Sequence, residues 1–123
     1  MYICSERRHH PRVKIKLPVV GMTGNVLVDG EIQDLSLGGA YILCPLVVEI
    51  NDTFQVVISV AGRLLSIKVE MIWLDVCTLG NHTMVRGMGV RFRQIFNDDR
   101  SFLLDVITKR HKSRLVAWLS RKP

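Results

Sequence analysis

Leu64-Leu65-Ser66-Ile67-Lys68-Val69-Glu70-Met71-Ile72-Trp73-Leu74 is the stretch that decides the fold. Leu65, Ile67, Val69, Met71 and Trp73 recur at every second position, and Ser66, Lys68 and Glu70 stand between them. Successive side chains of a strand point to opposite faces, so this alternation predicts a strand with one buried face, Trp73 included. Ala61-Gly62-Arg63 just before it reads as a hairpin turn, and Phe54–Val60 as the strand on its other side.

The same period extends outward in both directions. Val13, Ile15 and Leu17 alternate with Arg12, Lys14 and Lys16, which predicts a first strand. Gly21–Asn25 reads as a turn, and Val26, Val28 and Ile32 as a second strand running toward Asp34. Gly38-Gly39 forces a sharp backbone feature before a short strand at Ala40–Cys44. A Gly80-Asn81 turn follows the central stretch, and Thr83–Phe92 supplies a last strand.

From Asp98 the period changes. Phe102, Leu103, Val106 and Ile107 recur at helical spacing. Asn97 or Asp98 is placed to cap this helix, Asp98 and Asp99 suit its positive end, and the cationic run after Thr108 suits its negative end. Many short strands followed by one helix predict a mainly β domain: a six-stranded antiparallel β-barrel with a C-terminal α-helix packed outside. The expected organisation is a flexible N-terminal arm at 1–11, the barrel at 12–96, and the helix with a basic tail at 97–123.

The bulk properties fit this plan. The chain has 123 residues, 48% hydrophobic and 23% charged, which suits one folded domain with one core. The longest uncharged apolar run, 40–48, is interrupted by Pro45 and falls well short of the roughly 18 residues a membrane span needs. The basic N-terminus has no apolar stretch behind it to make a signal peptide, so a cytoplasmic location is expected. Cys4, Cys44 and Cys77 are an odd, widely spaced set that argues against a disulfide framework; Cys44 and Cys77 lie in apolar surroundings and are expected to be buried.

Charge is unevenly spread. Residues 17–108 hold six basic and ten acidic residues, whereas 1–16 hold Arg7, Arg8, Arg12, Lys14 and Lys16 against Glu6 alone. Residues 109–123 add Lys109, Arg110, Lys112, Arg114, Arg121 and Lys122 with no acid. Two basic ends on an acidic body can meet a phosphate ligand, a nucleic acid, an acidic partner or a membrane surface.

Two segments carry the chemistry. In Glu6-Arg7-Arg8-His9-His10-Pro11-Arg12, arginines four residues apart offer rigid forks of donors that suit phosphate oxygens and the O6/N7 edge of guanine. A solvated basic tail explains the same residues equally well. In Asp34-Leu35-Ser36-Leu37-Gly38-Gly39, a carboxylate can accept from guanine N1 and N2, a hydroxyl can donate or accept, and the glycines admit close approach of a ligand. A simple turn between strands also accounts for that segment.

Taken together, Arg8, Arg12, Asp34, Ser36 and Gly39 resemble the paired signature of the PilZ domain family: Arg-x-x-x-Arg, then Asp/Asn-x-Ser-x-x-Gly. Gly87-Met88-Gly89-Val90-Arg91-Phe92 is similar to the family's closing strand, and the likeness spans residues 6–92. The resemblance implies a six-stranded barrel that binds cyclic di-GMP, a dianionic second messenger, without catalysis. Arg8 and Arg12 would form a clamp that closes over the ligand. Asp34, Ser36, Gly38 and Gly39 would form a rigid reader of guanine. Arg7, directly before the pair, is associated in the family with a stacked, intercalated ligand dimer. A downstream protein partner is implied, in a pathway the residues do not specify.

Other readings carry less. His9, His10, His82 and His111 show no metal-ligand spacing with the cysteines, so no metal or cofactor is expected beyond the nucleotide. Ser36 lacks a nucleophile elbow or triad order, and the scattered carboxylates offer no acid–base pair, so an enzyme is not expected. Leu115, Trp118 and Leu119 form either a packed stripe or a docking patch. The competing functions are a basic nucleic-acid-binding barrel and a PilZ-like adaptor that binds only protein.

Overall fold

The computed structural model describes residues 12–45 and 49–120. Six strands and one helix follow in order: β1 Val13–Thr23, β2 Val26–Leu35, β3 Gly39–Leu43, β4 Thr53–Val60, β5 Arg63–Leu79, β6 His82–Gln94 and α1 Asn97–Ser120. All pairings are antiparallel, and the strands close into a ring in the order β1-β2-β3-β6-β5-β4. The expected mainly β chain of six antiparallel strands and a C-terminal helix is present.

Three hairpins are as tight as hairpins become. Thr23 pairs with Val26, Val60 with Arg63 and Leu79 with His82, so each loop has two residues. Gly24, Gly62 and Gly80 all have positive φ, as does Ala61 at 48°. Such loops match the right-handed twist of the flanking strands. The first turn is therefore Gly24-Asn25 alone, and Gly21 stays inside β1.

The inward faces meet as the alternation predicts. Phe54, Val56, Ile58 and Val60 of β4 and Leu65, Ile67, Val69 and Met71 of β5 are all buried. Each such side chain contributes about 1.5–3 kcal/mol relative to exposure. Trp73 breaks the expectation: it is 44% exposed. The register shifts between Met71 and Trp73, and a bulge there reverses which face the following residues occupy. Cys44 is buried as expected, but Cys77, beyond that bulge, is only half-buried.

Helix α1 lays Leu103 and Ile107 into the same core as the strands. Near its start, Arg63 bonds Asp99 at 2.7 Å and lies over the Phe102 ring, 4.8 Å from its centre. Antiparallel connectivity puts the starts of β1, β3 and β5 at one end of the ring, and α1 lies across that end. The helix departs from expectation at both termini. The Arg100 N–H bonds the Phe96 carbonyl, so Phe96 holds the cap position and Asn97 and Asp98 sit within the first turn. The helix also continues to Ser120, which leaves Lys109, Arg110 and Lys112 in its middle and no cation in its last turn. Leu119 is exposed, which excludes it from a packed stripe.

Candidate functional site

Two bulges flank Asp34, one where β1 pairs with β2 and one where β2 pairs with β3. One lies between Lys14 and Leu17, the other between Ile32 and Asp34, and Lys14 pairs with Asp34 beside them. Ile32 and Leu35 are both fully buried although three residues apart, which strict alternation forbids. The extra residue in β2 makes this possible and leaves Asp34 off the inward face.

Asp34 is incompletely satisfied. Its Oδ1 is buried and accepts no hydrogen bond from any described residue. The Arg12 guanidinium stands beside it, Nη1 to Oδ1 3.6 Å, a distance for ionic attraction but too long for a hydrogen bond. A buried carboxylate oxygen without a donor costs about 1–3 kcal/mol or more, and a ligand N–H can recover that cost.

The Ser36–Gly39 turn is rigid. The Ser36 hydroxyl accepts from the N–H groups of Gly38 and Gly39, each at 3.2 Å, and donates to the Gly39 carbonyl at 3.3 Å. The Ser36 N–H also bonds the Gly39 carbonyl at 2.9 Å, and the Phe92 N–H bonds the Gly38 carbonyl at 2.9 Å. Gly39 admits no side chain, since a Cβ there would lie 2.2 Å from the Val90 carbonyl oxygen. The turn is thus pinned to β6 immediately after Asp34 and Leu35.

An aromatic pair stands next to it. Tyr41 and Trp73 stack with ring centroids 5.4 Å apart and planes 19° from parallel. Both lie over glycines of β6: an added Cβ would come within 2.6 Å of the Tyr41 hydroxyl at Gly87 and 2.1 Å of Trp73 Nε1 at Gly89. Tyr41 donates its hydroxyl to Asp75 Oδ2 at 2.6 Å, and Arg86 donates to Asp75 Oδ1 at 3.0 Å. Burial, and then the bond to Asp75, push the Tyr41 phenol up to about 12. The bonds from Tyr41 and then Arg86 hold the Asp75 carboxyl below its ordinary 3.8, and the same carboxylate raises Arg86.

A cleft of about 760 Å³ opens on this surface, lined by Lys14, Ile15, Lys16, Gln33, Asp34, Tyr41, Leu43 and Arg110. It sets three cations and an aromatic ring around one carboxylate, a composition that suits an anionic, ring-bearing ligand. Of the sequence-derived residues, the fold brings Arg12 and Asp34 together and places Ser36, Gly38 and Gly39 in the adjoining turn. Arg7 and Arg8 lie outside the described residues. Sequence reading passed over Lys14, Lys16, Tyr41, Trp73 and Arg110 as site residues. The alternate glycines at 87 and 89 were the available signal for the aromatic pair, because a glycine-x-glycine strand makes room for rings. Among the described residues, no group of three metal-ligating side chains forms, and no helix is long and apolar enough to cross a membrane.

A search of curated proteins returned no match. Among solved structures, the PilZ domain of YcgR from Escherichia coli with c-di-GMP superimposes with a TM-score of 0.70 at 17% identity, covering 88% of this chain and 94% of that one. The Bacillus subtilis inhibitor of motility, MotI/DgrA, gives a TM-score of 0.73 at 16% identity over 87% of this chain and 52% of that one. MrkH, described as a c-di-GMP-dependent transcription regulatory factor, gives 0.64 at 17% identity and covers 94% of this chain and 52% of its own. At 16–17% identity these likenesses show a shared fold. The PilZ domain model itself matches residues 6–109, from the first arginine motif through about half of α1, and the chain therefore belongs to the PilZ domain family.

Proposed function

We propose that this chain is a receptor for cyclic di-GMP that binds the nucleotide over the Asp34 cleft and regulates a partner protein, without catalysis. The observation that carries the reading is Asp34, which lines a cleft rich in cations and whose Oδ1 is a buried acceptor with no donor among the described residues. Guanine offers N1 and N2 donors on one edge, the complement of a carboxylate. Its phosphates match Lys14 and Lys16. Family membership and the c-di-GMP-bound YcgR domain support the same ligand.

In this reading the site has a rigid half and a clamp. Asp34 reads guanine. Ser36, Gly38 and Gly39 act by holding the turn against β6, because the Ser36 hydroxyl is already engaged there. Arg12 supplies one cation beside Asp34. Arg8 is four residues away, so a fully extended chain keeps it within about 14 Å of Arg12, inside the span of a dinucleotide. Arg7 adds a third fork and favours an intercalated ligand dimer over a single molecule. The protein works in the cytoplasm, on a six-stranded barrel. Relatives whose names record motility inhibition and transcription regulation support a regulatory output.

Thermal unfolding with added ligand tests this. Cyclic di-GMP should raise the midpoint in a concentration-dependent way, since a ligand bound only by the folded state stabilises it. GTP and a DNA oligomer at equal concentration should not. Equal stabilisation by the DNA oligomer would favour a nucleic-acid-binding barrel. No shift with any of the three would leave a protein-binding adaptor.

A further inference from the structure

Helix α1 contributes one cation to the cleft that the ring alone lacks. Leu103 and Ile107 bury themselves in the core, and Arg110 follows at i+7 and i+3 on the same face. The helix stripe that grips the ring thus ends in a guanidinium, and Arg110 lines the cleft together with Lys14, Lys16 and Asp34. Its neighbour Lys109 is engaged by Asp105 at 3.1 Å, one turn back. Arg110 itself makes no ion pair among the described residues. A cation directed at a cleft by buried anchors, and left without a carboxylate, is arranged to meet an anion from solution.

We infer that Arg110 is a ligand-contacting residue of the site, donating to a phosphate of the bound nucleotide and tying the middle of α1 to ligand occupancy. The inference rests on the cyclic di-GMP reading of the cleft. It adds that the helix belongs to the site and is not only packed beside it. The second half of α1 then carries the state of the site away from the ring.

Calorimetric titration of cyclic di-GMP into the wild type, R110Q and K112Q tests it. Lys112 has the same charge, is exposed two residues further along the helix, and does not line the cleft. R110Q should weaken binding about 10- to 100-fold, the value of a hydrogen bond to a charged group, while K112Q stays within about twofold. Equal effects of R110Q and K112Q would reduce Arg110 to general electrostatics and overturn the inference. An independent readout needs no substitution: the Arg110 side-chain Nε–H resonance of the wild type should shift on adding ligand, and an unmoved resonance in a saturated protein would overturn it. A wild type that does not bind cyclic di-GMP would instead remove the functional reading, and this inference with it.

Discussion

Tyr41 lies flat against Trp73, centroids 5.4 Å apart, on a floor made by Gly87 and Gly89. The two rings come from β3 and β5, strands that flank β6 on either side, so the stack bridges across the strand between them. The bulge between Met71 and Trp73 is what brings the indole to this surface. The pair forms an aromatic wall on which the Asp34 cleft abuts through Tyr41.

That packing ranks two glycine substitutions. A Cβ at Gly39 meets the Val90 carbonyl oxygen at 2.2 Å, which is backbone and can yield only if β3 parts from β6. A Cβ at Gly89 meets the Trp73 indole at 2.1 Å, which can swing outward. Gly39→Ala should therefore destabilise by more than Gly89→Ala, within the roughly 1–3 kcal/mol or more of overpacking. Urea midpoints of the two variants check the order.

Alkaline pH should probe Tyr41. Its folded pKa is raised to about 12 from 10.0, by burial first and the Asp75 bond second. A raised value favours the neutral phenol in the fold, so its stabilising contribution is complete below pH 10.0 and is lost as pH rises toward 12. Tyrosinate absorbance should show Tyr41 ionising late, and Asp75→Asn should bring that step earlier without removing the part due to burial. Asp75 behaves in the opposite sense: its folded value is depressed, so its contribution holds above 3.8 and fades as pH falls further.

The arginine clamp makes a paired prediction. Arg8→Ala and Arg12→Ala should each weaken cyclic di-GMP binding by about one to two orders of magnitude, given roughly 1.5–3 kcal/mol per charge-assisted hydrogen bond. Both variants should fold, since Arg12 makes only a partly exposed 3.6 Å pair. Unchanged affinity in both would remove the clamp from the site.

Stoichiometry tests Arg7. The wild type should bind two ligands per chain, and Arg7→Ala should bind one. A single ligand in both proteins would refute the intercalated dimer.

Much of the fold was legible in the sequence because period-two alternation is a local signal. Leu65, Ile67, Val69 and Met71 could be assigned to one face from their neighbours alone, and they are buried. Gly62 and Gly80 marked their turns because only a few residues accept positive φ. Trp73 was misassigned because a bulge depends on pairing with β6, which the residues of β5 do not display. At the site, Asp34 and Arg12 were found through a resemblance, and the fold sets them side by side. Ser36 was visible as a polar residue, but its three bonds within the turn arise only once Gly38 and Gly39 curl back on it. Arg110 was read as tail charge because it reaches the cleft only when α1 crosses the end of the ring.

Asp34 tests the central claim most directly. Its Oδ1 has no hydrogen-bond donor among the described residues, so Asp34→Ala should leave the thermal midpoint unchanged or higher. The decisive measurement is calorimetric titration of cyclic di-GMP into the wild type and Asp34→Ala side by side. The account predicts saturable wild-type binding near the micromolar range, about −8 kcal/mol, and at least about tenfold weaker binding in the variant. Equal affinity in a folded Asp34→Ala protein, or no heat of binding in the wild type, would contradict it.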